Sequence, residues 1–290
     1  MRQRYQKLLS LLLTMAMVLS MVPAALAEES SPVVNGGETI TQNGIYEIAS
    51  NATGTITIGE GISEVTLVGK GATWNADYTY TSTPFSNLHI DCTKVPGIAL
   101  TLQDVHIENR DDKAPVVDFS GGDNLLSWEG VNLIDNYGSG QGTHAAIHVK
   151  QGDKLTLDGS GTLYLYKTSG GSGIGGKKGE LNGDIIFYGG TYFIKGTKQG
   201  AVIGAGTDSA GVPGVPGSVT FNSGEFNLVA NARGAAIGGS AGSAGGSSGT
   251  RVNFNGGLIN INIDYSGAAI GGGGYNGGND AQGGKTYFSG

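Results

Sequence analysis

The chain has almost no cysteine, little charge and no helical pattern. Cys92 is the single cysteine, so no internal disulfide forms. An exported chain without disulfides suits a bacterial surface better than a eukaryotic secretory product. With no histidine beside it in sequence, Cys92 reads as a small buried hydrophobe and not as a nucleophile. Charged residues make up only 14%, and 17 Lys and Arg face 24 Asp and Glu, for a net charge of −7. An acidic chain without a basic patch excludes nucleic acid as a partner. No stretch beyond the N-terminus carries a sustained helical period with caps. That excludes βαβ units and leucine-rich or ankyrin-type repeats.

What is present is a repeat. A large apolar residue, any residue, then Gly, Ser or Asp recurs at intervals of about thirty residues. The corners are anchored at Leu67, Leu102, Trp128, Leu157, Phe187, Phe221, Phe254 and Phe288. Two residues before each anchor sits another apolar or Thr residue, such as Val65, Leu100, Leu155 or Ile185, which is the two-residue period of a strand. A second alternating run follows each corner, as in Leu163/Leu165, Tyr192/Ile194, Phe226/Leu228 and Ile259/Ile261. A short third strand precedes the later corners, with Ile at 147, 174, 203, 237 and 270, followed from Ile174 on by Gly. Three short strands per repeat, joined by Gly bends, describe an all-β, right-handed parallel β-helix, a three-faced solenoid. The Gly-rich stretches 206–217, 240–249 and 271–284 fall at one point of successive repeats and are expected as loops on one edge. Neighbouring coils should lie about 4.8 Å apart, stacking Phe187, Phe221, Phe254 and Phe288 into one ladder.

The domain reading has three parts. Residues 1–27 form a signal peptide, with basic Arg2, Arg4 and Lys7, an apolar run from Leu8 to Val22 and Ala25-Leu26-Ala27 as cleavage site. The apolar run is too short for a comfortable span of about 20 residues, so membrane contact is expected only through this cleaved segment. Residues 28–60 are expected to cap the solenoid, and residues 61–290 to form about eight coils. No C-terminal cap is visible, so further repeats or an anchor are expected after Gly290.

Candidate sites follow from the stacking. Aligning the corners by their anchors places Glu129 over Asp158, about 5 Å apart. Two carboxylates so close call for a cation, and Ca²⁺ favours clustered oxygen ligands. The expectation is a structural Ca²⁺ site with Asp104 as third ligand, against hydrated carboxylates facing solvent. Tyr164, Tyr166 and Phe193 occupy outward positions after the corner, with Tyr188 at the corner nearby. They are the candidate carbohydrate platform, against an apolar patch covered by a loop or partner. Outward Asn222/Asn255 and Asn227/Asn260 are expected to form amide ladders. His144 and His148 share a strand face too far apart for one metal, and read as surface histidines. The run 108–113 reads as a solvated loop. Gly171 to Lys178 nearly matches a phosphate-binding loop, but Lys178 stands where Ser or Thr must hold magnesium and no helix follows, so nucleotide is excluded.

The chain resembles the right-handed β-helix proteins that bacteria secrete as carbohydrate binders, which share the pectate-lyase-like architecture. The likeness is carried by the Leu100–Ile107 type of coil and by Gly-Ala-Ala-Ile-Gly-Gly at 234–239 and 267–272. It covers roughly residues 60–290 and implies a surface-exposed binder of plant or bacterial cell-wall polysaccharide. It carries over no catalytic residue. A structural stalk or surface-layer component is the alternative. A polysaccharide lyase or hydrolase fits less well, since Lys195, Arg233 and Arg251 form no cluster beside paired acids.

Overall fold

The computed structural model describes residues 31–70, 82–111, 113–137, 142–167, 170–196, 199–209, 212–230, 233–241, 250–264, 267–273 and 286–288. The segment 1–27 expected as a signal peptide lies outside them, as do parts of all three Gly-rich stretches. The unit from Val33 onward is an all-β parallel solenoid, and no helix forms among the described residues.

Three ladders wind around one core. The corner face runs through Val33–Val34, Gly44–Ile48, Glu64–Val68, Ala99–Gln103, Asp123–Glu129, the first halves of Lys154–Lys167 and Asp184–Gly196, then Val219–Phe221, Val252–Phe254 and Thr286–Phe288. The exit face follows each bend: Phe85–Ser86, His106–Asn109, Val131–Asn136, the second halves of the two long strands, Glu225–Ala230 and Leu258–Ile263. Because two strands run unbroken through the bend, these faces join into one 15-stranded sheet. The return face is a separate 9-stranded sheet from Thr39–Ile40 to Ile270–Gly271. All the strand pairs between coils are parallel, as in Leu155 with Ile185 and Val219 with Val252. Within residues 28–60, expected as a cap, the strands between Val33 and Ile58 pair into the corner and return ladders.

The alternation of apolar and polar residues explains the core. On the return face Ile56, Ile90, Val117, Ile147, Ile174, Ile203, Ile237 and Ile270 form one inward column. On the corner face Phe187 stacks on Phe221 at 4.9 Å and Phe221 on Phe254 at 5.2 Å, and the backbone register continues to Phe288. Tyr192 stacks on Phe226 at 4.4 Å from the exit side and meets Phe187 edge-on. Each such side chain, taken fully from water, contributes roughly 1.5–3 kcal/mol.

The Gly after each return-face Ile is a steric requirement. Gly175, Gly204, Gly238 and Gly271 have φ between 133° and 141°. A Cβ on any of the first three would collide with the carbonyl oxygen of the next glycine in the column. The Gly-rich loops leave from this point, between the return strand and the next corner strand, as the repeat implies.

One register differs from the anchor alignment. Leu67, Leu102 and Trp128 stack in order, but Trp128 then faces Gly159, while Leu157 follows Leu126. The corner slips by two residues because the Trp128 indole fills the bend. A Cβ at Gly159 would meet its ring atoms at 2.8 Å, so only glycine fits there.

Candidate functional site

The slip removes the basis for stacking Glu129 on Asp158. Glu129 lies opposite Gln103, and Asp158 lies opposite Ser127 on one side and Tyr188 on the other. Asp104, at φ 53°, uses its carboxylate to accept the Val131 N–H at 2.9 Å, fastening the next bend. The three carboxylates are therefore not gathered into one site. Among the described residues no group of three or more His, Cys, Asp or Glu side chains is placed to share a metal ion.

The aromatic residues are brought together, in a geometry that sequence spacing does not reveal. Tyr164 and Phe193 occupy one register on adjacent coils and stack at 4.8 Å with planes 11° apart. Each ring thus covers a face of the other. Tyr164 follows Leu133, which points away from the core yet is fully buried. Beyond Phe193 the column changes to Asn227 and Asn260. The neighbouring outward column reads Asp135, Tyr166, Lys195, Val229 and Asn262. Long side chains thus give way to short ones between the coil of Phe193 and the coil of Asn227. The step makes a groove of about 520 Å³, walled by Tyr166, Phe193 and Lys195 and continued by Asn227, Val229, Asn260 and Asn262. Phe193, stacked on Tyr164, is thus part of the groove wall. Tyr188, 47% exposed, lies across the Gly189–Gly190 bend on the corner face and does not line the groove. Val229 and Asn262 escaped the sequence reading, and Lys195 was weighed there only as a scattered basic residue; the signal for all three was the drop in side-chain length at equal register. Asn227 and Asn260 form the expected amide ladder at 3.2 Å, as do Asn222 and Asn255 at 2.8 Å.

At the lower end of the exit face the outward column is closed. His106 is buried, and its Nδ1 lies 2.6 Å from the Ser82 hydroxyl. Burial holds its pKa down at about 4, so the ring is neutral near pH 7. The run 108–113 is less solvated than expected: Glu108 and Asn109 belong to a strand, and Asn109 is fully buried and donates to Asn136 Oδ1 at 3.2 Å. Arg110 pairs with Glu108, lies 3.8 Å from Asp135 and sits over the Tyr137 ring.

A second polar centre lies on the return face. His148 is not a surface histidine: its side chain is 7% exposed. Its Nδ1 lies 2.7 Å from Asp118 on the preceding coil, and its Nε2 lies 2.8 Å from Glu180 on the following one. Burial disfavours the charged ring, but the hydrogen bonds and charges of the two carboxylates outweigh it and push the pKa up to about 9. Burial likewise opposes the Glu180 charge, yet His148 and Lys177 bring its pKa down to about 2. Lys177 holds the other Glu180 oxygen at 3.1 Å. The centre is a closed ionic clamp across three coils. Asp118 and His148 share a register, which aligned return strands reveal; Glu180 comes from a loop, which they do not. Cys92 is buried nearby, and burial with the charges of Asp91 and Asp118 raises its thiol pKa far above the ordinary value.

Compared with protein-family models, with curated proteins and with solved structures, the chain matches none. The parallel β-helix is thus the part of the family likeness that stands on the fold.

Proposed function

We propose that the protein is a non-catalytic polysaccharide binder of the adhesin type, exported to a bacterial cell surface, with its site in the exit-face groove. One observation carries this reading. Phe193, stacked on Tyr164, lines a groove that also holds amide and ammonium groups. A pyranose has one apolar face of C–H bonds and a rim of hydroxyls, so an aromatic wall beside polar groups matches it. The volume falls in the range of small-ligand sites, large enough for a short stretch of glycan. The N-terminal segment, with its basic start, apolar run and small-residue cleavage site, supports export.

The test is pull-down on a panel of insoluble plant and bacterial wall polysaccharides. The double change Tyr164→Ala and Phe193→Ala should abolish retention while the melting temperature holds. Retention that survives this change moves the site elsewhere. A second reading, a structural stalk, is favoured by the side-chain ladders that lock coil to coil; it requires no retention on any polymer.

A further inference from the structure

We infer that the groove selects glycans that carry an acidic group, held by the Lys195 ammonium; this rests on the polysaccharide reading above. Lys195 is the one charged side chain along the groove among the described residues. Its register neighbours, Tyr166 and Val229, carry no charge. Arg110, Lys113, Lys154, Lys177 and Lys178 each meet a carboxylate, whereas Lys195 takes part in no ion pair among the described residues. Two of the amides along the groove already donate one N–H each. Asn260 donates to Asn227, and Asn227 donates to Glu225 at 3.5 Å. Lys195 therefore supplies the strongest donors the groove offers, next to an apolar ring that strengthens a charged contact. The chain as a whole is acidic, so it repels anions at long range, and the preference arises only on contact. A carboxylate, a sulfate ester or a phosphate diester would each satisfy the ammonium.

Affinity electrophoresis at about 0.15 M salt, where long-range charge is screened, tests this with polymers that share a backbone. The pairs are hydroxyethyl cellulose with carboxymethyl cellulose, and dextran with dextran sulfate. The acidic member of at least one pair should bind on the order of tenfold more tightly than its neutral partner, the size of one charge-assisted hydrogen bond at a partly exposed site. Lys195→Gln should erase that preference, and Lys94→Gln, in an exposed turn off the return face, should keep it. Equal binding of acidic and neutral members, or a preference that outlives Lys195→Gln, overturns the inference; the polysaccharide reading then stands if Phe193→Ala still abolishes binding. No binding to any polymer, or binding indifferent to Phe193→Ala, removes both.

Discussion

His148 offers the sharpest test of how the coils are held together. The ring is nearly enclosed, with a carboxylate at each nitrogen, one from the coil below and one from the coil above. Its folded pKa of about 9 exceeds the ordinary 6.5. A group whose pKa rises on folding contributes its full stability below the unfolded value. That contribution declines through the window from pH 6.5 to about 9 and is gone above it. At about 1.4 kcal/mol per pKa unit, the proton on His148 contributes about 3 kcal/mol near pH 6. Glu180 has the opposite sign: its pKa falls from 4.5 to about 2, so its share is complete above pH 4.5 and is lost as pH falls through 2. The clamp is thus at full strength between pH 4.5 and 6.5. His148→Gln keeps a hydrogen-bond donor but not the charge, and leaves Asp118 without a cation and Glu180 with Lys177 alone. Urea unfolding of both proteins at pH 6 and pH 9.5 should show a loss of about 3 kcal/mol at the lower pH, shrinking to under about 1 kcal/mol at the higher. A parallel pH dependence of the two proteins would refute the reasoning.

Other expectations follow from single side chains. Phe221→Ala opens a cavity between two stacked rings and the edge of Phe226, and should cost roughly 3–5 kcal/mol in urea unfolding. Tyr192 is fully buried and its hydroxyl finds no partner among the described residues, so Tyr192→Phe should leave the melting temperature unchanged or raise it. Gly204→Ala forces a side chain against the Gly238 carbonyl at φ 136°, and should lower stability by at least about 2 kcal/mol or prevent folding, read by circular dichroism on the expressed protein.

The solenoid was legible because its cause is local and repeated. Alternation at Leu163/Leu165, Tyr192/Ile194 and Phe226/Leu228 fixes which face of each strand is inward, and the recurring corner fixes where the chain bends. Side chains at equal places in successive coils must then meet, as Phe187, Phe221 and Phe254 do. The amide ladders at Asn222/Asn255 and Asn227/Asn260 were readable for the same reason. That Tyr164 and Phe193 are neighbours was also readable, and that their faces cover one another was not. Ring orientation depends on χ angles set by packing, and spacing carries no information about them.

Tertiary structure alone decided the register at the third corner. Two residues of slip at Trp128 separate Glu129 from Asp158, because an indole needs the volume that Gly159 leaves empty. It also decided that Glu180, from a loop, completes the clamp on His148, and that the exit face steps from Phe193 down to Asn227 to open a groove. Strand periodicity by itself determined the three-faced parallel β-helix and its core columns, since alternation and bends act through neighbours in sequence. Register, loop partners and cavities depend on volumes contributed by residues far apart in the chain, and those meet only once the coils have stacked.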